Sequence, residues 1–377
     1  MKTRVADVAI VGGGLIGCAL ARELAGRGAS VTVIERADPG SEASSAAAGL
    51  LAPQAEGLEP GPLFDLALES RNLYERWVTE LFEETRLDVG YRRCGILRCA
   101  LPGRPEAFEP FAWQREAGLS VERRDAGGIA ALAAGAVAPA IRQALFFPEE
   151  AIVDNRRLTE AVRMAAQRRG AIILTATPAR RFAVTDGRCF GVETERGLVA
   201  AGAVIDAAGA WSSFDPGMPV PVEPVRGQIV EVQSGIPELP TVVESEEVYV
   251  VPRGDSLLLG STVERVGFDK RVTAGAVGRL LAAAARLLPS LEDAAFRRAW
   301  SGLRPGTPDG LPLLGPTAIA GLSLATGHFR NGILLAPVTA IALADELYGE
   351  GSRDLAPFSP RRFAEGRASQ PLSEMTC

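Results

Sequence analysis

The feature that most constrains this chain is the run Gly12-Gly13-Gly14-Leu15-Ile16-Gly17, set between an apolar segment, Val8 to Val11, and a helical pattern from Leu15 to Arg27. A short apolar run without periodicity reads as a strand buried on both faces. Gly28 stands where a helix C-cap belongs, and Val31-Thr32-Val33-Ile34 gives a second strand ending at Glu35. Strand, glycine turn, helix and strand in this order open a parallel α/β sheet. In such a unit Gly12 permits the tight turn, Gly14 lets the backbone approach a pyrophosphate, and Gly17 lets the helix pack close to the strand. The helix N-terminus presents N–H groups to the phosphates. An acid at the end of the second strand, here Glu35, can accept hydrogen bonds from ribose hydroxyls. The pattern points to dinucleotide binding.

The glycines do not decide between NAD and FAD. The next segment helps: Ser44-Ser45-Ala46-Ala47-Ala48-Gly49-Leu50 is a stretch of small residues against which a bulky ring can lie, although its composition also suits a flexible linker. Residues 39–48 read as loop, and Leu63 to Leu81 as helix. Further on, Gly95 to Ala100 reads as strand and Arg104 to Ala117 as helix. Asp154 is an N-cap for a helix to about Arg169, and Ala171 to Leu174 is a strand. Asp186-Gly187 is a hairpin turn, and Val204-Ile205 a buried strand. Antiparallel strands are expected at Arg226 to Val232, Val248 to Val251 and Leu257 to Ser261, then a helix from Thr273 to Leu288. A strand from Leu322 to Ala325, a turn, and a closing helix from Ile333 to Tyr348 complete the chain, with a loosely held tail after Pro357. Parallel α/β pieces thus alternate with strand-rich ones. The fold class expected is α/β, with two interleaved domains. One, discontinuous, takes residues 1–84, 146–214 and 298–350; the other, an antiparallel α+β unit, takes 85–145 and 215–297; residues 351–377 form a tail.

Composition removes other classes. A chain of 377 residues suits two or three domains and needs no disulfide staples. A net charge of −6 argues against an electrostatic nucleic-acid binder. With one histidine, a His-based zinc site or a Ser-His-Asp triad could form only around His328. The five cysteines, Cys18, Cys94, Cys99, Cys189 and Cys377, include no CxxC pair, so reduced thiols and a cytoplasmic location are expected. No signal peptide is read at the N-terminus, and no apolar stretch reaches membrane-spanning length.

Four segments carry a family resemblance: Val8 to Arg36, Ser44 to Pro53, Gly302 to Gly310 (GLRPGTPDG) and Gly327 to Pro337 (GHFRNGILLAP). Together they resemble the D-amino acid oxidase superfamily of flavoproteins, and within it the ThiO-type glycine oxidases. The likeness runs from Val8 to about Tyr348. It implies a glutathione-reductase-like, Rossmann-type domain binding FAD, and beside it the substrate domain. Gly12, Gly14, Leu15, Ile16 and Gly17 would cradle the pyrophosphate; Glu35, Arg36 and Ala179 would hold the adenosine end. Ala43, Ser44, Ala48, Gly49 and Leu50 would line the flavin side. The run His328, Phe329, Arg330, Asn331, Gly332, Ile333 and Leu334 would pass the flavin ring, its helix starting near Gly332 and pointing its positive end at the ring. Arg304 and Tyr249 would hold a substrate carboxylate, with Arg330 beside it. Arg330 could equally be an ion-pair partner of a neighbouring acid, and His328 a hydrogen-bonded structural residue.

The resemblance further implies oxidative deamination of glycine, with sarcosine or a small D-amino acid as alternatives, to glyoxylate and ammonia. Dioxygen would be reduced to hydrogen peroxide, within thiamine biosynthesis. It leaves room for a homo-oligomer, a tetramer among the forms, and for hand-off to thiazole synthase. FAD should be held non-covalently, because relatives that bind it covalently use a cysteine shortly before a Thr-Pro-Asp, and here Gly302 stands five residues before Thr307-Pro308-Asp309 with no cysteine nearby. Two positions depart from the family pattern. Glu247 stands where a histidine can occur, two residues before Tyr249, and Val263 where a methionine can line the pocket. On a continuous strand Glu247 would share a face with Tyr249 near the pocket mouth. Two rivals stay open: a dehydrogenase of the same fold passing electrons to a quinone or carrier, and a flavin-binding module without turnover.

Overall fold

The computed structural model describes residues 4–215, 217–233, 239–351 and 353–363. Two eight-stranded sheets organise them. In the first, five parallel strands run in the order Ile172–Leu174, Val31–Ile34, Arg4–Val11, Gly197–Asp206 and Leu322–Thr326. Leu313–Pro316 adds an antiparallel edge, and the hairpin Ala179–Thr185 and Arg188–Thr194 pairs with the early part of Gly197–Asp206. That hairpin turns at Asp186 and Gly187, both with positive φ, the two-residue turn that matches strand twist.

Helix Leu15–Gly26 is buried on most of its circumference and packs against helices Asn155–Arg168 and Ala336–Tyr348. Asp154 caps the second of these, accepting from the N–H groups of Arg156 and Arg157 at 3.0 and 3.1 Å. The long helix Pro62–Thr85 covers the same layer.

The second sheet runs Phe296–Gly306, Glu223–Gln233, Ser256–Gly260, Tyr249–Arg253, Val242–Glu244, Ile96–Cys99, Gln143–Phe147 and Glu122–Asp125. All pairs are antiparallel except Val242–Glu244 with Ile96–Cys99. Helix Ala274–Leu287, capped by the Thr273 side chain, buries its apolar stripe on one face of this sheet. The opposite face looks toward the first sheet.

Four local expectations are corrected. Residues 39–48 contain a short helix, Ala43–Ala46. The segment 104–117 is not one helix: Pro110 has no N–H to continue a ladder, and a 3-10 stretch, Pro105–Phe111, is followed by a separate short helix, Ala112–Glu116. The closing helix begins at Ala336, with Pro337 in its first turn, and residues 331–335 form a separate turn closed by the Leu335 N–H on the Asn331 carbonyl at 2.8 Å. The segment after residue 350 is packed as far as it is described. Phe358 is buried, Arg362 pairs with Asp309 at 2.7 Å, and Arg353 pairs with Glu69 and Asp345. Residues 364–377, including Cys377, lie outside the described residues.

Candidate cofactor and substrate site

A cavity of about 460 Å³ opens at the carboxyl ends of the five parallel strands. After Ile172–Leu174 come Pro178 and Ala179; after Val31–Ile34, Glu35 and Arg36; after Arg4–Val11, Gly12 and Gly14; after Gly197–Asp206, Ala207 to Trp211; after Leu322–Thr326, His328 to Arg330. Ligands of open α/β sheets bind at this end of the strands. Four strand spacings make about 19 Å, so the cavity mouth runs along the ends of all five strands.

The glycine turn is shaped for this. Gly12 has φ +102° and its missing Cβ admits the carbonyl of Ala207; at Gly17 a Cβ would overlap the Gly12 carbonyl. Ser44 Oγ, from across the cleft, accepts the Leu15 N–H at 2.9 Å and so caps the helix that faces the cavity. Glu35 is buried and uses both oxygens locally, accepting from the N–H of Gly13 at 2.7 Å and of Ala37 at 2.8 Å. Its carboxylate thus fixes the glycine turn while still lining the cavity.

The small-residue segment is gripped from the second sheet. Trp300 Nε1 donates to the Ala46 carbonyl at 3.0 Å, and Arg253 Nη2 donates to the carbonyls of Ala48 at 2.7 Å and Val153 at 3.0 Å. Ala43, Ser44, Ala48, Gly49 and Leu50 all line the cavity.

The second sheet supplies the far wall. Gly227 on Glu223–Gln233 is in register with Gly302, and Gly260 with Ile229 and Tyr249, so three glycines lie on one sheet face. The Arg304 guanidinium lies over Gly227, where a Cβ would overlap it, and the Tyr249 ring over Gly260 in the same way. Arg304 donates from Nη1 to the Thr262 carbonyl at 3.0 Å and from Nη2 to Ser261 Oγ at 2.8 Å. Arg304, Tyr249 and Arg330 all line the cavity.

The two turns of the family motifs are laced together. The Phe329 N–H donates to the Pro305 carbonyl at 2.9 Å, and Gly327, with φ +75°, lies against Thr307. Two hydroxyls one helical turn apart on Pro62–Thr85 hold the same run from behind: Ser70 Oγ donates to the Leu334 carbonyl at 2.6 Å and Tyr74 to that of Ile333. His328 is buried with its Nε2 3.1 Å from Thr339 Oγ1, and burial pushes its pKa down to about 4, so the ring is neutral.

Not every expected residue reaches the cavity. Gly17 acts beneath the turn; Leu334 belongs to the core around helix Leu15–Gly26; Asn331 is buried and closes the 331–335 turn. Arg330 does both things open to it, lining the cavity and pairing with Glu56 at 3.3 Å, a partner with no sequence signal. Glu247 is moved away from the site. It lies in the bend before strand Tyr249–Arg253 rather than on it, is exposed, and pairs with Arg286. Val263 is exposed and lies off the cavity wall. The sequence reading also missed Trp211, Gly227 and Gly260; glycine inside a strand is the signal that could have marked the last two.

A cavity along the carboxyl strand ends, a capped helix at its centre, and a cationic wall from a second sheet define a dinucleotide-binding oxidoreductase. The chain belongs to the family described as FAD dependent oxidoreductase (DAO), which matches residues 7–346. It is 39% identical over 365 residues to a glycine oxidase of Geobacillus kaustophilus, covering 94% of this chain and 97% of that one. The crystal structure of glycine oxidase from that organism superposes with a TM-score of 0.91 at 38% identity, covering 96% of this chain and 99% of that one. A bifunctional protein ThiO/ThiG of Trichormus variabilis is 37% identical over 380 residues; these cover 97% of this chain and 56% of that protein, so the chain spans about half its length. FAD is the cofactor of the family. The observed wall fits it: an uncluttered glycine turn, an acid after the second strand, and a stretch of small residues along the lining. Among the described residues no helix is long and apolar enough to cross a membrane.

Proposed function

We propose that the protein oxidises glycine, with sarcosine and small D-amino acids as further candidates, and that it works in the thiazole branch of thiamine biosynthesis. The observation that carries this reading is that Arg304 and Tyr249 from the second sheet and Arg330 from the first line the same cavity. Arg304, its fork oriented by Ser261 and Thr262, takes the substrate carboxylate bidentately, and the Tyr249 hydroxyl adds a donor. Arg330, positioned by Glu56, adds positive charge beside it. Gly49 and Leu50 add apolar surface to the cavity lining. The amine reacts in its neutral form, and neutral His328 adds no charge against it. FAD supplies the two-electron acceptor. Glycine, water and dioxygen then give glyoxylate, ammonia and hydrogen peroxide. The bifunctional ThiO/ThiG relatives support hand-off of the imine product to a thiazole synthase partner.

FAD is held without a covalent bond, so acid precipitation should leave the flavin in solution; flavin retained in the pellet would refute this. Anaerobic mixing with glycine should bleach the yellow absorbance, and air should restore it with one peroxide formed per turnover. Bleaching that air does not reverse, but a quinone does, would establish the dehydrogenase reading instead.

A further inference from the structure

Residues 261–273 join strand Ser256–Gly260 to helix Ala274–Leu287 and carry an exposed aromatic residue, Phe268. This loop is firmly held. Arg226, buried on strand Glu223–Gln233, pairs through Nε with Glu264 at 2.9 Å and donates from Nη1 to the carbonyls of Asp269 at 3.3 Å and Arg271 at 3.1 Å. Ser301 Oγ donates to the Lys270 carbonyl between them at 2.6 Å. Three consecutive carbonyls are thus tied to two strands, and the loop is a fixed arm of the second sheet.

The side chains on this arm reach the other sheet. Lys270 Nζ pairs with Glu42 Oε2 at 2.7 Å, and the second Glu42 oxygen pairs with Arg36 Nη2 at 2.7 Å. The Arg36 guanidinium lies 3.7 Å from the centre of the Trp211 ring, and Phe268 packs on that ring with centroids 5.5 Å apart. Arg36, Glu42 and Trp211 line the cavity. Arg36 comes after strand Val31–Ile34 and Trp211 after strand Gly197–Asp206, while the strand that ends in the glycine turn lies between them. The Arg36–Trp211 stack therefore spans the end of that strand, where a pyrophosphate would be held.

We propose that this arm completes the FAD site from the second sheet: Phe268 and Lys270 brace the Arg36–Trp211 span and thereby set how slowly FAD leaves. The proposal rests on the reading of the cavity as the FAD site. An exposed phenylalanine gains its packing from Trp211, and the Lys270–Glu42–Arg36 chain aligns the guanidinium over the indole.

The test uses the holoprotein, diluted into flavin-free buffer, with the rise in free-FAD fluorescence giving the release rate. Lys270→Met, which loses a half-exposed ion pair, should release FAD about two- to fivefold faster. Phe268→Ala should act similarly, and the double variant should reach about tenfold, the scale of a weakened cation–aromatic stack. Lys270→Arg should release at the wild-type rate. Added salt should speed release from the wild type more than from Lys270→Met, which lacks one of the screened pairs. The melting temperature of the apoprotein should match wild type in each variant, while the increment given by added FAD shrinks. Wild-type release from the double variant would overturn the proposal. So would an equal loss of melting temperature with and without FAD, which would make the arm a structural brace only. Protein that purifies colourless and takes up no offered FAD would instead overturn the cofactor reading beneath it.

Discussion

At Arg304 a strand delivers a guanidinium onto a sheet face where the neighbouring strand has glycine, so the fork can lie flat against that face. Bonds to the Thr262 carbonyl and Ser261 Oγ help set the plane of the fork before any ligand arrives. Arg304→Ala should keep FAD and raise the KM for glycine by roughly two orders of magnitude, the usual cost of removing one partner of a desolvated charge pair. Arg304→Lys should restore only part, since a point charge cannot reproduce a bidentate fork. An unchanged KM in steady-state assays would remove Arg304 from the site. Glu247 carries the opposite expectation. Sequence spacing places it beside Tyr249, but the strand starts at Tyr249 and the preceding bend turns Glu247 toward Arg286. Glu247→Gln should therefore leave the pH profile of kcat/KM superimposed on wild type, and a shifted acidic limb would show that its charge reaches the substrate.

Elements differ in how far their sequences specify them. The glycine turn, the Asp154 cap and the Asp186-Gly187 hairpin depend on short-range chemistry, so each is legible in a few residues. The short helix Ala43–Ala46 depends on distant partners, since Trp300 holds its last carbonyl and Ser44 turns to cap another helix. The packed segment around Phe358 is similar, anchored by Arg362 on Asp309, a residue far away in the chain. The strand Phe296–Gly306 shows the functional cost of such contacts. A Cβ at Gly302 would press on the Cβ of Ala46, at a distance no pair of carbons tolerates. Gly302→Ala should thus push the small-residue segment into the cavity. The expected loss is about 1–3 kcal/mol of stability, typical of overpacking. FAD affinity should fall with it, measured by fluorescence titration of the apoprotein. Wild-type affinity in that titration would show that the segment can retreat.

Across the whole molecule, the sequence displays the site's parts but not their neighbours. Arg304, Tyr249 and the His328 to Gly332 run are legible as motifs, whereas Glu56 and Trp211 acquire meaning only when the two sheets and their loops are assembled, and Asp206, which does not line the cavity, only when its burial is known. Asp206 shows why. It ends the strand Gly197–Asp206 in register with Val11, the residue before the glycine turn. It is fully buried, accepts from the Ala208 N–H at 2.9 Å and Ser212 Oγ at 3.3 Å, and burial pushes its pKa up to about 7. The same shift couples folding to pH. As pH rises from the ordinary aspartate value of 3.8 toward about 7, the unfolded chain gives up a proton that the folded chain keeps. The stability contributed by Asp206 is therefore present below the lower value and lost as pH rises through the upper one. Asp206→Asn carries no such proton. Its stability relative to wild type should rise with pH across that window by about 1 kcal/mol per unit, and level off above it. Denaturant unfolding of wild type and variant, run in parallel at mildly acidic and neutral pH, measures the difference directly. Parallel pH dependences in the two proteins would mean that Asp206 titrates as an ordinary carboxylate and that the fold carries its negative charge beside the glycine turn.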